Sequence, residues 1–368
     1  MSSCARVANP RCLRRLAIGT QVSNLPHRLK LTHYLPACAT LPFDKMPVQH
    51  STLERLAQIP NLSISEQTLL SRYTRFGIGG PADLLVETAD EQSFIAALQV
   101  VRASGSEFAV IGSGTNLIVS DAGFRGIVLR LTSNGISSDG RLVSVQAGAV
   151  LQALVDYAIH HGLRGLETMT GIPGSVGAAI YGNAGAYGHS INEVVRQVRF
   201  FDGSSVRIFG NAESEFHYRE SVFKRHKDWV IFSAGLELTP APADELQRIA
   251  DGILKVRLEK YPASMKCAGS IFKNLILSEL PESVQRQVPE RVVREGKVAS
   301  AYFLEQVGAK GIQNGGIRVA EYHANLIYNA DQGTALELCE IIADLKSRVQ
   351  NRFGLMLEEE VQYVGFST

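Results

Sequence analysis

Apolar and polar positions change in short blocks along the chain, which predicts strands alternating with amphipathic helices. Asp83–Thr88 is a short apolar run typical of a strand, whereas Asp90–Ser104 repeats its apolar residues with the period of a helix. Further strands are predicted at Phe108–Ile111, Leu117–Val119, Gly126–Leu131, Leu142–Ala147, Val194–Phe201 and Val230–Leu238. Further helices are predicted at Leu151–His161 and Asp244–Lys260. This mixture indicates an α+β or α/β fold.

The end of the chain carries a second pattern with clear boundaries. A capping box formed by Thr334 and Glu337 begins the last helix, and Gly354 suits its left-handed end. Met356–Val364 then reads as a final strand that returns to a sheet, with three successive acids inside it. Because side chains alternate along a strand, the first and third acids are predicted on one face and the second on the other.

Two glycine-rich segments are candidates for binding a phosphate. Gly112–Asn116 follows a strand, and Gly171–Gly188 contains six glycines in 18 residues. Backbone N–H groups without a Cβ nearby can surround a pyrophosphate. Structural turns are the alternative for each segment alone, but the two together favour a nucleotide cofactor.

Composition narrows the class of protein. Apolar residues make up 45% and charged residues 20% of 368 residues, as in a folded globular protein. No apolar run is long enough to span a membrane, and a formal charge of +1 gives no sign of nucleic-acid binding. CxxC and HExxH patterns are absent, so no metal is expected; Walker A and GxSxG motifs are absent too.

Residues 1–45 form a basic leader with seven Lys or Arg and one acid. Such a segment could be an organelle transit peptide. We favour instead a disordered tail or a segment upstream of translation starting at Met46. It lacks the apolar run of a secretory signal, so export is not expected and a cytoplasmic location is.

Three polar clusters lie in the second half: Tyr218–Ser221, Lys266–Asn274 and Glu358–Glu360. Taken separately, each is typical of ordinary surface polarity. Their order along the chain, together with the glycine-rich segments, is more informative than any one of them.

This set of segments resembles the UDP-N-acetylenolpyruvoylglucosamine reductase family. The resemblance covers about residues 62–365 and is carried by TRFGIGGPAD (74–83), IGSGTNLIVSDAGFRG (111–126), GLETMTGIPGSVGAAIYGNAGAYG (165–188), YRESVFK (218–224), AGSIFKN (268–274) and GLMLEEEVQYVG (354–365). It implies an α+β, FAD-binding fold of the vanillyl-alcohol-oxidase-like type. It also implies an FAD domain made of residues 46–260 and 355–368, with a smaller inserted α+β substrate domain at 261–354.

The resemblance further implies the chemistry. NADPH would reduce a non-covalent FAD, and flavin N5 would then deliver hydride to the vinyl carbon of UDP-N-acetylglucosamine enolpyruvate. Arg219 and Glu360 would stabilise the resulting enolate, and Ser270 would protonate it. FAD would be held by Gly112, Ser113, Gly114, Thr115, Asn116, Gly171, Ile172, Pro173, Gly174 and Ser175. Tyr218, Lys260 and Asn274 would contact substrate or the nicotinamide dinucleotide, and no obligate protein partner is expected.

Two departures from the family pattern are visible. Leu275 and Glu359 replace prolines that the family often has, so slightly altered geometry is expected there. The chain also resembles the shorter subtype, which lacks a tyrosine-bearing substrate loop.

Two other functions remain open from the sequence. One is a sugar or alcohol oxidase of the same FAD fold, which would have no use for the Arg219, Ser270 and Glu360 set. The other is a catalytically silent UDP-sugar-binding paralogue, which would be expected to lose one of the three.

Overall fold

The computed structural model describes residues 48–366. The first sheet in this part of the chain has four strands. Its strands lie in the spatial order Ser63–Leu69, Pro81–Thr88, Phe124–Leu131 and Phe108–Val110. The first pair is antiparallel and the other two pairs are parallel. Helices His50–Ala57 and Glu91–Ser104 pack on one face, where Phe94 and Leu98 meet Leu84 and Val86. The predicted leader, residues 1–45, lies outside the described residues.

A five-stranded antiparallel sheet follows. Its spatial order is Val206–Gly210, Val195–Phe201, Val230–Glu237, Leu142–Gln146 and Ile136–Asp139. Helices Leu151–His160, Val176–Tyr181 and Ala243–Lys260 contribute to the core on its inner face. Short strand pairs join Leu163–Arg164 to Thr239–Pro240 and Gly185–Ala186 to His189–Ser190.

The C-terminal region builds a separate core around two helices, Ser300–Gln306 and Ala335–Phe353. Two three-stranded sheets pack there, in the orders Leu275–Ile276, Lys297–Val298, Val293–Arg294 and Gln313–Asn314, Ile317–Ala320, His323–Asn329. Further short helices and turns lie at Leu70–Tyr73, Glu167–Met169, Ile191–Glu193, Ala212–Ser214, Val222–Arg225, Leu277–Glu279, Glu282–Gln285 and Glu290–Val292. Phe76, Ile78 and Ile118 from the first half also belong to this core. The limits 46–260, 261–354 and 355–368 stay a prediction.

The predicted final strand, Met356–Val364, is wrong in its first two thirds. Only Gln362–Val364 is a strand, and it pairs in parallel with Leu117–Val119. Residues 356–361 run without a continuous ladder, with a single bridge between Glu359 and Phe272. The helix before them is as predicted, with the Thr334 capping box and Gly354 at φ 70°. Among the described residues, no helix is both long enough and apolar enough to cross a membrane.

Candidate active site

The two glycine-rich loops lie side by side. The Thr115 hydroxyl donates to the carbonyl oxygen of Pro173 at 3.3 Å. A Cβ added at Gly112 would lie 2.6 Å from the hydroxyl oxygen of Ser175, so a side chain there would displace the Ser175 hydroxyl. Gly114 has φ 63°, and a Cβ there would lie 1.7 Å from the Tyr73 carbonyl oxygen. The structure therefore joins two segments, 58 residues apart at the Thr115–Pro173 contact, into one surface.

This surface offers many backbone donors. None of the N–H groups of residues 112–116 donates a hydrogen bond to another described residue, and the same holds for those of Gly174 and Ser175. A neighbouring cleft of about 180 Å³ is lined by Gly112, Ser113 and Gly148 among others. Unpaired N–H groups beside glycine backbone suit a pyrophosphate. The residues present therefore fit the phosphate portion of a dinucleotide such as FAD.

The three polar clusters of the second half come together at one place. The segment Ser270–Lys273 runs extended beside Glu358–Glu360, with the Lys273 N–H donating to the Glu358 carbonyl at 2.9 Å. The Glu360 N–H returns a hydrogen bond to the Ile271 carbonyl at 2.7 Å. On the opposite side, Ser270 forms a bridge with Leu326. The interpretation of these clusters as separate surface polarity is therefore wrong.

Arg219 reaches this place from a tight turn. His217 and Glu220 exchange backbone hydrogen bonds at 3.0 and 3.1 Å, which forces Arg219 to φ 58°, a value that residues other than glycine rarely adopt. Its Nε donates to Glu360 Oε1 at 2.8 Å. Its two terminal nitrogens donate to the carbonyls of Asn183, at 3.3 Å, and Gly185, at 2.7 Å.

This bonding leaves part of the Arg219 guanidinium available. A guanidinium has five N–H donors, two on each terminal nitrogen. Since each terminal nitrogen uses one donor on a carbonyl, each keeps one without a partner among residues 48–366. Guanidinium donors left unused in this way can bind a carboxylate.

Glu360 connects this pair to the first glycine-rich loop. Its backbone carbonyl accepts a hydrogen bond from the Asn116 side chain at 2.8 Å, and the Asn116 carbonyl accepts one from the Gln362 N–H at 2.9 Å. The Asn116 side chain thus holds the chain of Glu360, a contact that its sequence-based role in cofactor binding did not include.

The neighbouring acids point in different directions, as the alternation predicted. Glu358 pairs with Lys273, whereas Glu359 pairs with Lys346 of the last helix at 2.8 Å. The predicted faces therefore hold even though the strand does not extend this far. Ser270 is half-buried, and its hydroxyl makes no hydrogen bond to any described residue.

The three predicted substrate contacts divide into two groups. The Tyr218 hydroxyl accepts a hydrogen bond from the Asn274 N–H at 3.3 Å, and burial raises the pKa of Tyr218. Lys260 lies elsewhere, at the end of helix Ala243–Lys260, where its carbonyl accepts from Tyr322 at 2.8 Å. Within the described part of the chain, no contact joins Lys260 to Tyr218 or Asn274.

Sequence reasoning missed a group of charges behind the site. The Lys273 ammonium, on a residue 8% exposed, donates to Glu220 Oε1 at 2.7 Å and also to Glu358. Lys224 donates to the same Glu220 oxygen at 2.7 Å. Burial disfavours the charge on Glu220, but the hydrogen bonds from these two lysines outweigh it and lower its pKa. The YRES and FKN segments contain these residues, but nothing in the sequence shows that they touch.

Comparison with known protein families finds two matches along the chain. Residues 82–207 match the family described as FAD binding domain. Residues 261–364 match the family described as UDP-N-acetylenolpyruvoylglucosamine reductase, C-terminal domain.

Curated relatives and a solved structure extend this likeness over most of the chain. The UDP-N-acetylenolpyruvoylglucosamine reductase of Solibacter usitatus is 65% identical over 84% of this chain and 100% of its own length. That of Bacillus licheniformis is 34% identical, covering 85% of this chain and 98% of its own. The crystal structure of the reductase from Thermus caldophilus has a TM-score of 0.65 at 28% identity, over 82% of this chain and 99% of that chain.

These findings confirm the predictions of an α+β fold with an FAD-binding domain and of the family itself. The chain belongs to the UDP-N-acetylenolpyruvoylglucosamine reductase family.

Proposed function

We propose that this chain is an FAD-dependent oxidoreductase that uses NADPH to reduce UDP-N-acetylglucosamine enolpyruvate to UDP-N-acetylmuramate, a step of peptidoglycan precursor synthesis. The observation that carries the proposal is the Arg219 guanidinium, which is held against Glu360 yet keeps one N–H on each terminal nitrogen for a carboxylate. An enolpyruvyl ether has such a carboxylate next to its double bond.

Arg219 and Glu360 act on the charge that forms during reduction. As the vinyl carbon accepts hydride, negative charge develops on the adjacent carbon and its carboxylate. Donors already aimed at that position stabilise the transition state without having to reorganise. Glu360 accepts from Nε and thereby fixes the plane of the guanidinium.

Ser270 supplies the proton that completes the product. A serine hydroxyl is a weak acid, so it can act only towards a strongly basic carbon such as an enolate carbon. Its hydroxyl has no hydrogen-bond partner among residues 48–366 and therefore remains available to a ligand. The Ser270 segment is held next to Glu360 through the hydrogen bond between Glu360 N–H and the Ile271 carbonyl.

The glycine-rich surface is where this proposal puts the cofactor. Gly112–Asn116 and Gly171–Ser175 would hold the FAD pyrophosphate, chiefly through the unpaired N–H groups of residues 112–116, Gly174 and Ser175. When bound, FAD supplies a two-electron carrier that accepts hydride from NADPH and passes it to the substrate. The Asn116 side chain, by holding the Glu360 carbonyl, couples this surface to the proposed catalytic pair.

Substrate recognition and location complete the proposal. Tyr218 and Asn274 lie next to Arg219 and would contact the substrate or NADPH, whereas Lys260 would do so from a separate position at a helix end. NADPH and UDP-sugars are cytoplasmic metabolites, so the proposed reaction belongs in the cytoplasm.

Anaerobic stopped-flow spectroscopy of the flavin tests the proposal. The enzyme is first reduced with one equivalent of NADPH and then mixed with UDP-N-acetylglucosamine enolpyruvate. We expect rapid reoxidation without oxygen, with UDP-N-acetylmuramate as product. Reoxidation only on admission of air would replace the proposal with a sugar or alcohol oxidase. Failure to bind any flavin would favour a silent UDP-sugar-binding protein.

A further inference from the structure

Lys273 occupies an unusual position between the three segments that carry the proposed catalytic residues. Its ammonium bonds Glu220, the residue after Arg219, and Glu358, two residues before Glu360. Its own backbone is three residues after Ser270. One side chain thus links segments that are 53 and 85 residues away along the sequence.

The main chain of Lys273 is fixed independently of its ammonium. The Lys273 N–H donates to the Glu358 carbonyl at 2.9 Å, and the Lys273 carbonyl accepts from the buried Ser300 hydroxyl. Because the backbone is held on both sides, the side chain reaches its two carboxylates from a defined starting point. The ammonium can therefore set where those carboxylates lie.

The turn that carries Arg219 needs such support. Arg219 has φ 58°, a strained value that persists only where surrounding contacts determine the conformation. Lys224 donates to the Arg219 carbonyl at 3.0 Å and to Glu220 Oε1 at 2.7 Å. Lys273 donates to that same oxygen, so Glu220 is held by two lysines from different segments.

The pairing of charges alone does not explain why a lysine occupies position 273. Without it, Glu220 would still be paired with Lys224, and the Glu358 side chain, 69% exposed, would still be solvated. Neither carboxylate would be left buried and unpaired. What the loss of Lys273 removes is the connection between the two segments.

We propose that Lys273 is a positioning residue that holds the Arg219 turn, the Glu360 segment and the Ser270 segment in register. The inference rests on the proposed function, because its effect is measured on the reduction of the enolpyruvyl substrate. Lys273 does not itself touch the substrate; it acts through Glu220 and Glu358.

Lys273→Met tests the inference, with Lys346→Met as a matched control. Lys346 binds Glu359 on the other side of the same three-residue acidic segment, but it makes no contact with the Arg219 turn. Since a misplacement of about 1 Å can cost about 100-fold in rate, we expect Lys273→Met to slow anaerobic reoxidation by the enolpyruvyl substrate about 100-fold. Lys346→Met should leave this rate within about threefold of wild type, since it removes no contact to the reacting groups.

Further readouts separate positioning from other roles. Flavin reduction by NADPH should change little in Lys273→Met, because the enolate charge forms only in the second half-reaction. The loss in reoxidation rate should exceed any loss in substrate affinity, because the transition state depends more strongly on alignment than the bound substrate does. Lys273→Arg should retain more of the rate than Lys273→Met, because it keeps a positive charge beside Glu220 and Glu358. Glu358→Ala, at an exposed position that does not threaten folding, should slow reoxidation about tenfold through the loss of one charge-assisted hydrogen bond.

Several results would overturn the inference. A reoxidation rate near that of wild type in Lys273→Met would do so, and so would wild-type behaviour of Glu358→Ala should Lys273→Met not fold. Full recovery in the Lys273→Met/Glu220→Gln double variant would show that an unbalanced charge was the cause. Loss of substrate affinity with an unchanged rate would indicate direct contact instead. Failure of wild type itself to be reoxidised would refute the proposed function, which is a separate outcome.

Discussion

Replacing Arg219 with lysine keeps the positive charge but removes the planar arrangement of five N–H donors. Lysine carries three donors on one nitrogen, so it cannot bond Glu360 and the Asn183 and Gly185 carbonyls and still donate to a carboxylate. The φ of 58° is equally unfavourable for both residues, so the backbone strain is unchanged. Loss of a donor aimed at developing charge costs about 3–4 kcal/mol, so we expect reoxidation by the enolpyruvyl substrate to slow about 10²–10³-fold.

The measurement is single-turnover reoxidation of the NADPH-reduced enzyme under anaerobic conditions. Arg225→Lys is the control, because Arg225 lies six residues further along and pairs with Glu215 at an exposed position. We expect that variant to react at the wild-type rate, since exposed ion pairs contribute little. Equal rates in Arg219→Lys and wild type would refute the assigned role, as would an equal loss in flavin reduction by NADPH.

Three further variants test other parts of the site. Ser270→Ala should leave flavin reduction by NADPH near normal and slow reoxidation by about 10²–10⁴-fold, the usual contribution of a general acid, whereas equal loss in both half-reactions would remove the assignment. Glu360→Ala should abolish most turnover while Glu359→Ala has a mild effect, because only Glu360 binds Arg219; steady-state kinetics showing the reverse ranking would contradict the alternation. Gly114→Ala should lose FAD during purification, because its Cβ would meet the Tyr73 carbonyl. The control Gly105→Ala is also at positive φ but in open space, so it should keep FAD and lose only about 1–2 kcal/mol of stability. Retention of FAD by both variants would argue against the proposed role of this loop in FAD binding.

Helix boundaries were predicted correctly where they depend on residues close together in the sequence. The helix predicted from Asp90 begins at Glu91 with Asp90 as its cap, because the Asp90 carboxylate accepts the Ser93 N–H at 2.8 Å. The last helix ends at Gly354 because only a residue that tolerates φ 70° can close it in this way. Both boundaries depend on residues within one helical turn, which the sequence displays directly.

Elements that depend on distant partners were harder to predict. Ser63–Leu69 was not predicted, because its side chains are mostly exposed and show no apolar alternation. It is a strand because it pairs with Pro81–Thr88 at the edge of the first sheet. Conversely, Met356–Val361 was predicted as a strand from its composition, but beyond the single Glu359–Phe272 bridge it has no ladder partner.

The same distinction applies to the candidate site. The family resemblance named Arg219 and Glu360, but no local pattern shows that two residues 141 apart form a 2.8 Å hydrogen bond. Lys273 was overlooked because a lysine in a polar segment is ordinarily exposed, and its burial follows only from two carboxylates supplied by other segments. The motifs were enough to predict which residues take part in the reaction. The contacts that orient these residues could be seen only in the three-dimensional structure.

Glu360 shows how an irregular segment can still be placed accurately. Its N–H donates to the Ile271 carbonyl at 2.7 Å, its carbonyl accepts from Asn116 at 2.8 Å, and its carboxylate accepts from Arg219 at 2.8 Å. These partners come from three separate parts of the chain, so displacement of Glu360 would break hydrogen bonds in three directions at once. A regular strand would have fixed only the backbone. Here the backbone and the carboxylate are fixed together, and that is the requirement for holding a guanidinium in one plane beside a substrate.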